Sequence, residues 1–247
     1  MSRAVLVLGA TSSIARAACY AFAEKGDDLF LTSRDPEELK RLAADIHVRY
    51  PNIAVHHRTF DALKYDTHAD FFIDVVRTCP NLEGVLVAFG DLGDQKVAIN
   101  DFSLAKRTFD INFTGACSIL THCANYFSKK GSGFIIGISS VAGDRGRRGN
   151  YIYGASKAAL TTFLDGLRNR LYHNGVHVMN VKPGYTDTAM TFSLEGKFLE
   201  ASPQRIGRAI VKALDRKRNT VYLPWYWRWV MLILKAIPEP LFKRLKL

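Results

Sequence analysis

The pattern that most restricts this chain is a repeated switch between two hydrophobic periods. Short apolar runs of strand length alternate with segments whose apolar residues recur at helical spacing. Residues 4–9 form an aliphatic run that ends in glycine. Residues 14–25 then place Ile14, Ala17, Ala18, Ala21 and Phe22 on one face, and Gly26 follows where a helix-ending glycine belongs. A second strand is predicted over 29–33. Asp35-Pro36-Glu37-Glu38 supplies an N-cap, a first-turn proline and first-turn acids for a helix to about Tyr50. Further strands are predicted over 53–59, 84–89, 133–139, 176–181 and 220–223. Helices are predicted around 69–79, over 103–130 and 151–173, and from Ser202-Pro203-Gln204 to near Asp215.

Apolar strands separated by helices imply a parallel sheet covered on both faces. Right-handed crossovers then make a doubly wound, Rossmann-like α/β fold of about seven strands the simplest topology. No Gly/Ser/Pro-rich linker interrupts this pattern, so residues 1–223 read as one domain and 224–247 as a tail of different composition. With 48% hydrophobic and 23% charged residues among 247, disorder and fibrous repeats are excluded. Cys19, Cys79, Cys117 and Cys123 lie in apolar segments at no metal-like spacing, and read as buried reduced thiols with no metal site. The apolar run at the N-terminus is too short for a signal peptide. No stretch approaches the ~18 apolar residues of a spanning helix, so the expected location is cytoplasmic.

Strand one runs through Gly9-Ala10-Thr11-Ser12-Ser13-Ile14-Ala15 straight into a helix. Small residues at 9, 13 and 15 let a pyrophosphate approach the helix N-terminus, whose free N–H groups attract anions. Any tight strand-to-helix turn can have this composition, so the end of strand two carries more weight. A carboxylate there would bind a ribose 2′-hydroxyl. The chain instead reads Thr32-Ser33-Arg34, and a guanidinium pairs with a 2′-phosphate. That favours NADP(H), with NAD(H) as the second choice; the alternative is a solvated arginine opening a helix.

Tyr153 and Lys157 are spaced i, i+4, so a helix puts both on one face, and Ser140 follows a predicted strand end where doubly wound sheets bind ligands. A neighbouring ammonium favours the ionised phenol, whose ordinary pKa is about 10, and would tune Tyr153 for proton exchange with a substrate oxygen.

The ordered set Gly9 to Ala15, Phe60-Asp61-Ala62, Ala88-Phe89-Gly90, Asn112, Ser140, Tyr153-x-x-x-Lys157 and Pro183-Gly184-Tyr185-Thr186-Asp187-Thr188 resembles the short-chain dehydrogenase/reductase family over residues 3–223. The resemblance implies Tyr153 as general acid/base, Lys157 on the nicotinamide ribose, Ser140 polarising a carbonyl and Asn112 holding a relay water. It further implies cofactor contacts from Gly9, Thr11, Ser12, Ser13 and Ile14 at the first turn, with Ser33 and Arg34 at the ribose. Asp61, Ala62, Ala88 and Gly90 would meet the adenosine. Pro183, Gly184, Thr186 and Thr188 would meet the nicotinamide carboxamide. Departures are Ser13 and Ala15 where the family has glycine, a cost if position 13 needs φ > 0, and Ala88-Phe89-Gly90 where it has Asn-Ala-Gly.

Residues 87–94, 142–150 and the tail resemble one branch of the family, the reductase subunits of decaprenylphosphoryl-ribose 2′-epimerase. That likeness implies a ketone/alcohol substrate carried on a polyprenyl phosphate, and an oxidase partner subunit. Arg145, Arg147 and Arg148 would flank the cleft and suit a phosphodiester, or form a solvated basic loop. The tail, residues 225–247, holds all three tryptophans beside Arg228, Lys235, Lys243, Arg244 and Lys246. This is the composition of a helix lying in a membrane interface, with packing on the domain or a neighbouring subunit as the alternative. The net charge of +11 favours anionic lipid or substrate. No groove-reading motif points to nucleic acid. The family is often assembled from several copies, so a homo-oligomer is expected. The rival readings are a soluble reductase of small keto compounds, steroids or acyl thioesters, and a non-catalytic dinucleotide-sensing scaffold.

Overall fold

All seven strands run parallel, in the order β3-β2-β1-β4-β5-β6-β7, in a computed structural model that describes residues 2–187 and 200–245. The strands are β1 (Ala4–Leu8), β2 (Asp28–Ser33), β3 (Val55–Thr59), β4 (Leu82–Val87), β5 (Gly133–Ile138), β6 (Val176–Pro183) and β7 (Thr220–Leu223). Alternating side chains of β1 serve the two faces. Val5 and Val7 pack under α1 (Ser13–Glu24), α2 (Pro36–Arg49) and α8 (Pro203–Asp215), through Phe22, Leu39, Ile46, Ile206 and Ile210. Leu6 and Leu8 pack under α3 (His68–Thr78), α6 (Ala116–Lys130) and α7 (Tyr151–Leu171), through Val75, Ile119, Leu120, Phe127 and Leu164. The doubly wound expectation holds. The strand order reverses between β1 and β4, which opens a crevice at their carboxyl ends.

Three local differences bear on the site. The edge strand β3 starts at Val55, later than expected, and its sequence Val-His-His-Arg-Thr is partly solvated because one side has no neighbour. The expected continuous helix over 103–130 is instead α5 (Phe102–Phe109), a widened π turn at Asp110–Gly115, and then α6. A Cβ on Gly115 would come 2.4 Å from the Ala62 carbonyl oxygen, so this wall of the crevice closes only around glycine. A short helix, α4 (Gln95–Ala98), capped by Asp94, was not apparent in the periodicity.

The tail forms α9 (Trp227–Ala236) and α10 (Glu239–Phe242). Trp227 and Met231, one turn apart, are buried against Val141, each burial stabilising by about 2 kcal/mol. Trp225, Trp229 and Ile233 face outward at 67%, 55% and 66% exposure. The tail therefore packs on the domain with one face and leaves a second apolar face uncovered. Among the described residues no helix is long and apolar enough to cross a membrane.

Candidate active site

The first turn is built to approach an anion. Gly9 has φ +86°, and a Cβ there would lie 2.6 Å from the Phe89 nitrogen. Ser12 caps α1, its hydroxyl accepting from the Ala15 N–H, and no acid occupies the first turn to neutralise the helix dipole. Ser13 is the first residue of α1, and Lys217 alone among the described non-glycine residues has positive φ, so the missing family glycine carries no backbone cost. Two cavities meet along this turn. One, of about 270 Å³, is lined by Gly9, Ser33, Arg34, Asp61 and Ala62. The other, of about 310 Å³, is lined by Ser13, Ile14, Ser140, Tyr153, Lys157, Pro183, Gly184 and Thr186. Thr11, Ser12, Ala88, Phe89 and Gly90 border both, which makes one elongated cleft. The Thr11 and Ser33 hydroxyls are 2.8 Å apart and the Asp35 N–H donates to Ser33 Oγ, leaving Arg34 exposed at the rim. Phe89 packs its ring on Phe60, centroids 6.0 Å apart, so the departure at 88–90 puts an aromatic wall at the Arg34 end of the cleft. Thr188 lies outside the described residues.

Ser140, Tyr153 and Lys157 converge at the deeper end. Ser140 Oγ accepts from the Ala142 N–H, which fixes the serine at the head of a single helical turn, and the hydroxyl hydrogen-bonds Tyr153. Lys157 Nζ donates to the Ile138 carbonyl at 3.0 Å and lies 5.8 Å from the Tyr153 ring centre. Burial disfavours the ammonium and brings the Lys157 pKa down to about 8. Burial likewise raises Tyr153 to about 12, against the opposing effect of the Ser140 hydrogen bond. Loss of water outweighs the serine, and the Lys157 amine is turned to the Ile138 carbonyl. Asn112, buried in the π turn, donates to Asp91 O at 2.7 Å and Ser156 Oγ at 2.9 Å, and accepts from the Asp91 N–H at 2.7 Å. Both its amide donors are engaged, so a relay water beside Asn112 would donate to one of its oxygens.

The three arginines part company. Arg147 lines the cleft, whereas Arg148 is exposed and away from it. Arg145, expected at the substrate, serves the tail instead. Its guanidinium donates to the Leu234 and Ile237 carbonyls, pairs with Glu239 at 3.1 Å and lies 3.5 Å from the Phe242 ring centre. The carbonyls that end α9 demand a cation, and Arg145 supplies it.

Two features escaped the sequence. Trp227, only 4% exposed, lines the cleft, and a Cβ on Gly184 would lie 1.9 Å from its indole nitrogen. The i, i+4, i+7 set Trp227, Met231 and Leu234 was the available sign of an inward face. The second is a part-buried triad: Asp144 accepts from Lys182 Nζ at 2.5 Å and from the Tyr222 hydroxyl at 2.7 Å, tying the loop after β5 to β6 and β7. Burial and the carboxylate push the Tyr222 pKa up. Lys182, near the end of the mostly buried strand β6, was its only signal.

A family model described as short chain dehydrogenase matches residues 3–197. An uncharacterised oxidoreductase of Streptomyces coelicolor is 34% identical over 98% of this chain and 96% of its own. One from Mycobacterium tuberculosis is 32% identical over 89% and 88%. A short-chain dehydrogenase from Sphingobium yanoikuyae, solved in complex with NADPH, superposes with a TM-score of 0.82 at 24% identity, over 96% and 97% of the two chains.

Proposed function

Since the chain belongs to the short-chain dehydrogenase family, an NAD(P)-dependent oxidoreductase family, we propose that it is an NADP(H)-preferring reductase converting a ketone to a secondary alcohol. The observation that carries this reading is the convergence of Ser140, Tyr153 and Lys157 at one end of a cleft whose other end opens beside Arg34 and Asp35, with Ser33 and not a carboxylate ending β2. The residues fit a dinucleotide: the glycine cradle at Gly9, an unneutralised helix N-terminus, and two joined cavities for its two halves. NADPH bound to the Sphingobium enzyme supports the same choice.

When bound, the reduced nicotinamide supplies a hydride. Everything else falls to the chain. Tyr153 Oη holds its proton at neutral pH and yields it to the substrate oxygen as charge develops there. Ser140 Oγ, hydrogen-bonded to the phenol, polarises that same oxygen. Lys157, anchored by Ile138 O, keeps its remaining donors for the ribose. Asn112 fixes the floor by clamping Asp91 and Ser156.

The substrate class we favour is a lipid-linked keto sugar of the decaprenylphosphoryl-2-keto-ribose kind, with an oxidase subunit supplying the ketone and the chain itself in a homo-oligomer. The outward Trp225, Trp229 and Ile233, beside Arg228 and Lys235, favour peripheral contact with the inner face of an anionic membrane. Assaying NADPH and NADH oxidation with polyprenyl-phosphate keto sugars against small soluble ketones tests the proposal. NADPH-dependent reduction that prefers the lipid-linked compounds is expected. Tight NADPH binding without oxidation by any ketone would replace the enzyme reading with a dinucleotide sensor.

A further inference from the structure

Behind the cleft lies a buried titratable group that the chemistry above does not use. His68, the first residue of α3, has no exposed surface. A core histidine need do no more than pack, but both ring nitrogens of this one are engaged. Nε2 lies 3.1 Å from the Asp61 carbonyl oxygen, and Nδ1 lies 2.9 Å from Ser118 Oγ on α6. A carbonyl only accepts, so Nε2 carries the proton and Nδ1 accepts from the serine hydroxyl. Burial lowers the His68 pKa below the usual histidine range, against the opposing pull of the Asp61 carbonyl, and the ring stays neutral.

What His68 holds is the wall of the cleft. Phe60 and Asp61 both border the cavity at the Arg34 end. The imidazole stacks on Phe60, ring centres 4.7 Å and planes 30° apart, and Phe60 in turn meets Phe89 at 6.0 Å and 33°. Three rings thus run from the cleft to His68. Phe89 stands where the family has alanine, so it adds a surface whose placement depends on Phe60 and on what backs it. The turn that follows is gripped along its length. The Asp61 carbonyl accepts from the Lys64 N–H at 3.1 Å as well as from His68, and the Asp61 carboxylate accepts from the Leu63 N–H at 3.0 Å. The Ala62 carbonyl abuts Gly115. His68 joins this turn to two helices, α3 through its own backbone and α6 through Ser118.

We propose that His68 is a positioning residue for the cofactor's adenosine half. Stacked behind Phe60 and bonded to the Asp61 carbonyl, it fixes the wall against which that half rests, and Ser118 fixes His68. The imidazole itself borders neither cavity. The inference rests on the dinucleotide reading and adds a residue that acts through Phe60 and Asp61.

Calorimetry with NADP⁺ and with 2′,5′-ADP, which lacks the nicotinamide half, tests this without turnover. His68→Phe keeps a ring behind Phe60 and removes both hydrogen bonds. It should weaken both probes by about three- to tenfold, the scale on which a hydrogen bond counts. Val75→Ala, two turns along α3 and equally buried, is the control for a merely structural role. It should lower the melting temperature and leave both affinities unchanged. Nitrogen NMR of the isotopically labelled protein should report the Nε2–H tautomer of His68 at neutral pH. Unchanged affinity in folded His68→Phe overturns the proposal and leaves the dinucleotide reading standing. So does an equal loss in Val75→Ala, a loss confined to NADP⁺, or the Nδ1–H tautomer. A wild-type protein that binds neither probe removes the dinucleotide reading and this proposal together. Should His68→Phe not fold, Ser118→Ala decides: binding weaker by about threefold upholds the positioning role, and unchanged binding overturns it.

Discussion

The proposed function gives Tyr153 and Arg34 separable duties, one at each end of the cleft, and single substitutions distinguish them. Tyr153→Phe removes the proton donor and leaves the groove intact, so turnover should fall by about a hundredfold or more with NADPH affinity nearly unchanged; steady-state rates and calorimetry check this together. Arg34→Ala should weaken NADPH much more than NADH, and equal weakening would remove the 2′-phosphate role. Lys157 yields a stability prediction with a definite sign. Its proton is held less tightly in the native state, at about 8, than in the unfolded chain, where 10.5 applies. The native state therefore bears a penalty that is complete below about pH 8 and fades as the pH rises to 10.5. Lys157→Met loses the bond to Ile138 but also this penalty, and should be inactive yet about 2 kcal/mol more stable at pH 7. Scanning calorimetry at pH 7 and above pH 10 should show the gain shrinking at the higher value. The Ser, Tyr and Lys were legible because their order and spacing survive in one dimension. The direction of the Tyr153 shift was not, because it depends on how much water the folded cleft removes.

At the scale of elements, Arg145 is the clearest test. Its hydrogen bonds to the carbonyls at the end of α9, its pairing with Glu239 and its stacking on Phe242 bind the tail to the loop after β5. Arg145→Ala should destabilise the protein by about 1–3 kcal/mol and expose residues 225–245 to limited proteolysis, whereas Arg148→Ala should do neither. The paired assignment fails if both variants are cleaved alike. Strands and major helices were readable because a parallel sheet buries nearly every residue of β1, β2 and β4. The π turn was not, since its six residues are too few to separate one step out of phase from ordinary irregularity in a long helical run. Nor was the capping of α7 by Gln95, a contact between residues 57 positions apart.

For the whole molecule, the outward face of the tail joins an excess of positive charge to exposed indoles. Sedimentation with vesicles should show binding to anionic but not to neutral lipid, weakened by salt and by Trp229→Glu with Ile233→Glu. Indifference to lipid charge, or full binding by the double variant, would remove the membrane contact. Deleting the tail is the wrong comparison, because Trp227 would leave the cleft with it. The sequence displayed the tryptophans without revealing that one turns inward and two outward, a division set by packing on Val141 and Gly184.

That division has a mechanical corollary. The ceiling of the reaction chamber and the stripe offered to the outside are opposite sides of a single ten-residue rod. Whatever grips the stripe must also steady the ceiling, and a clipped chain that keeps every reacting group would still have lost its roof.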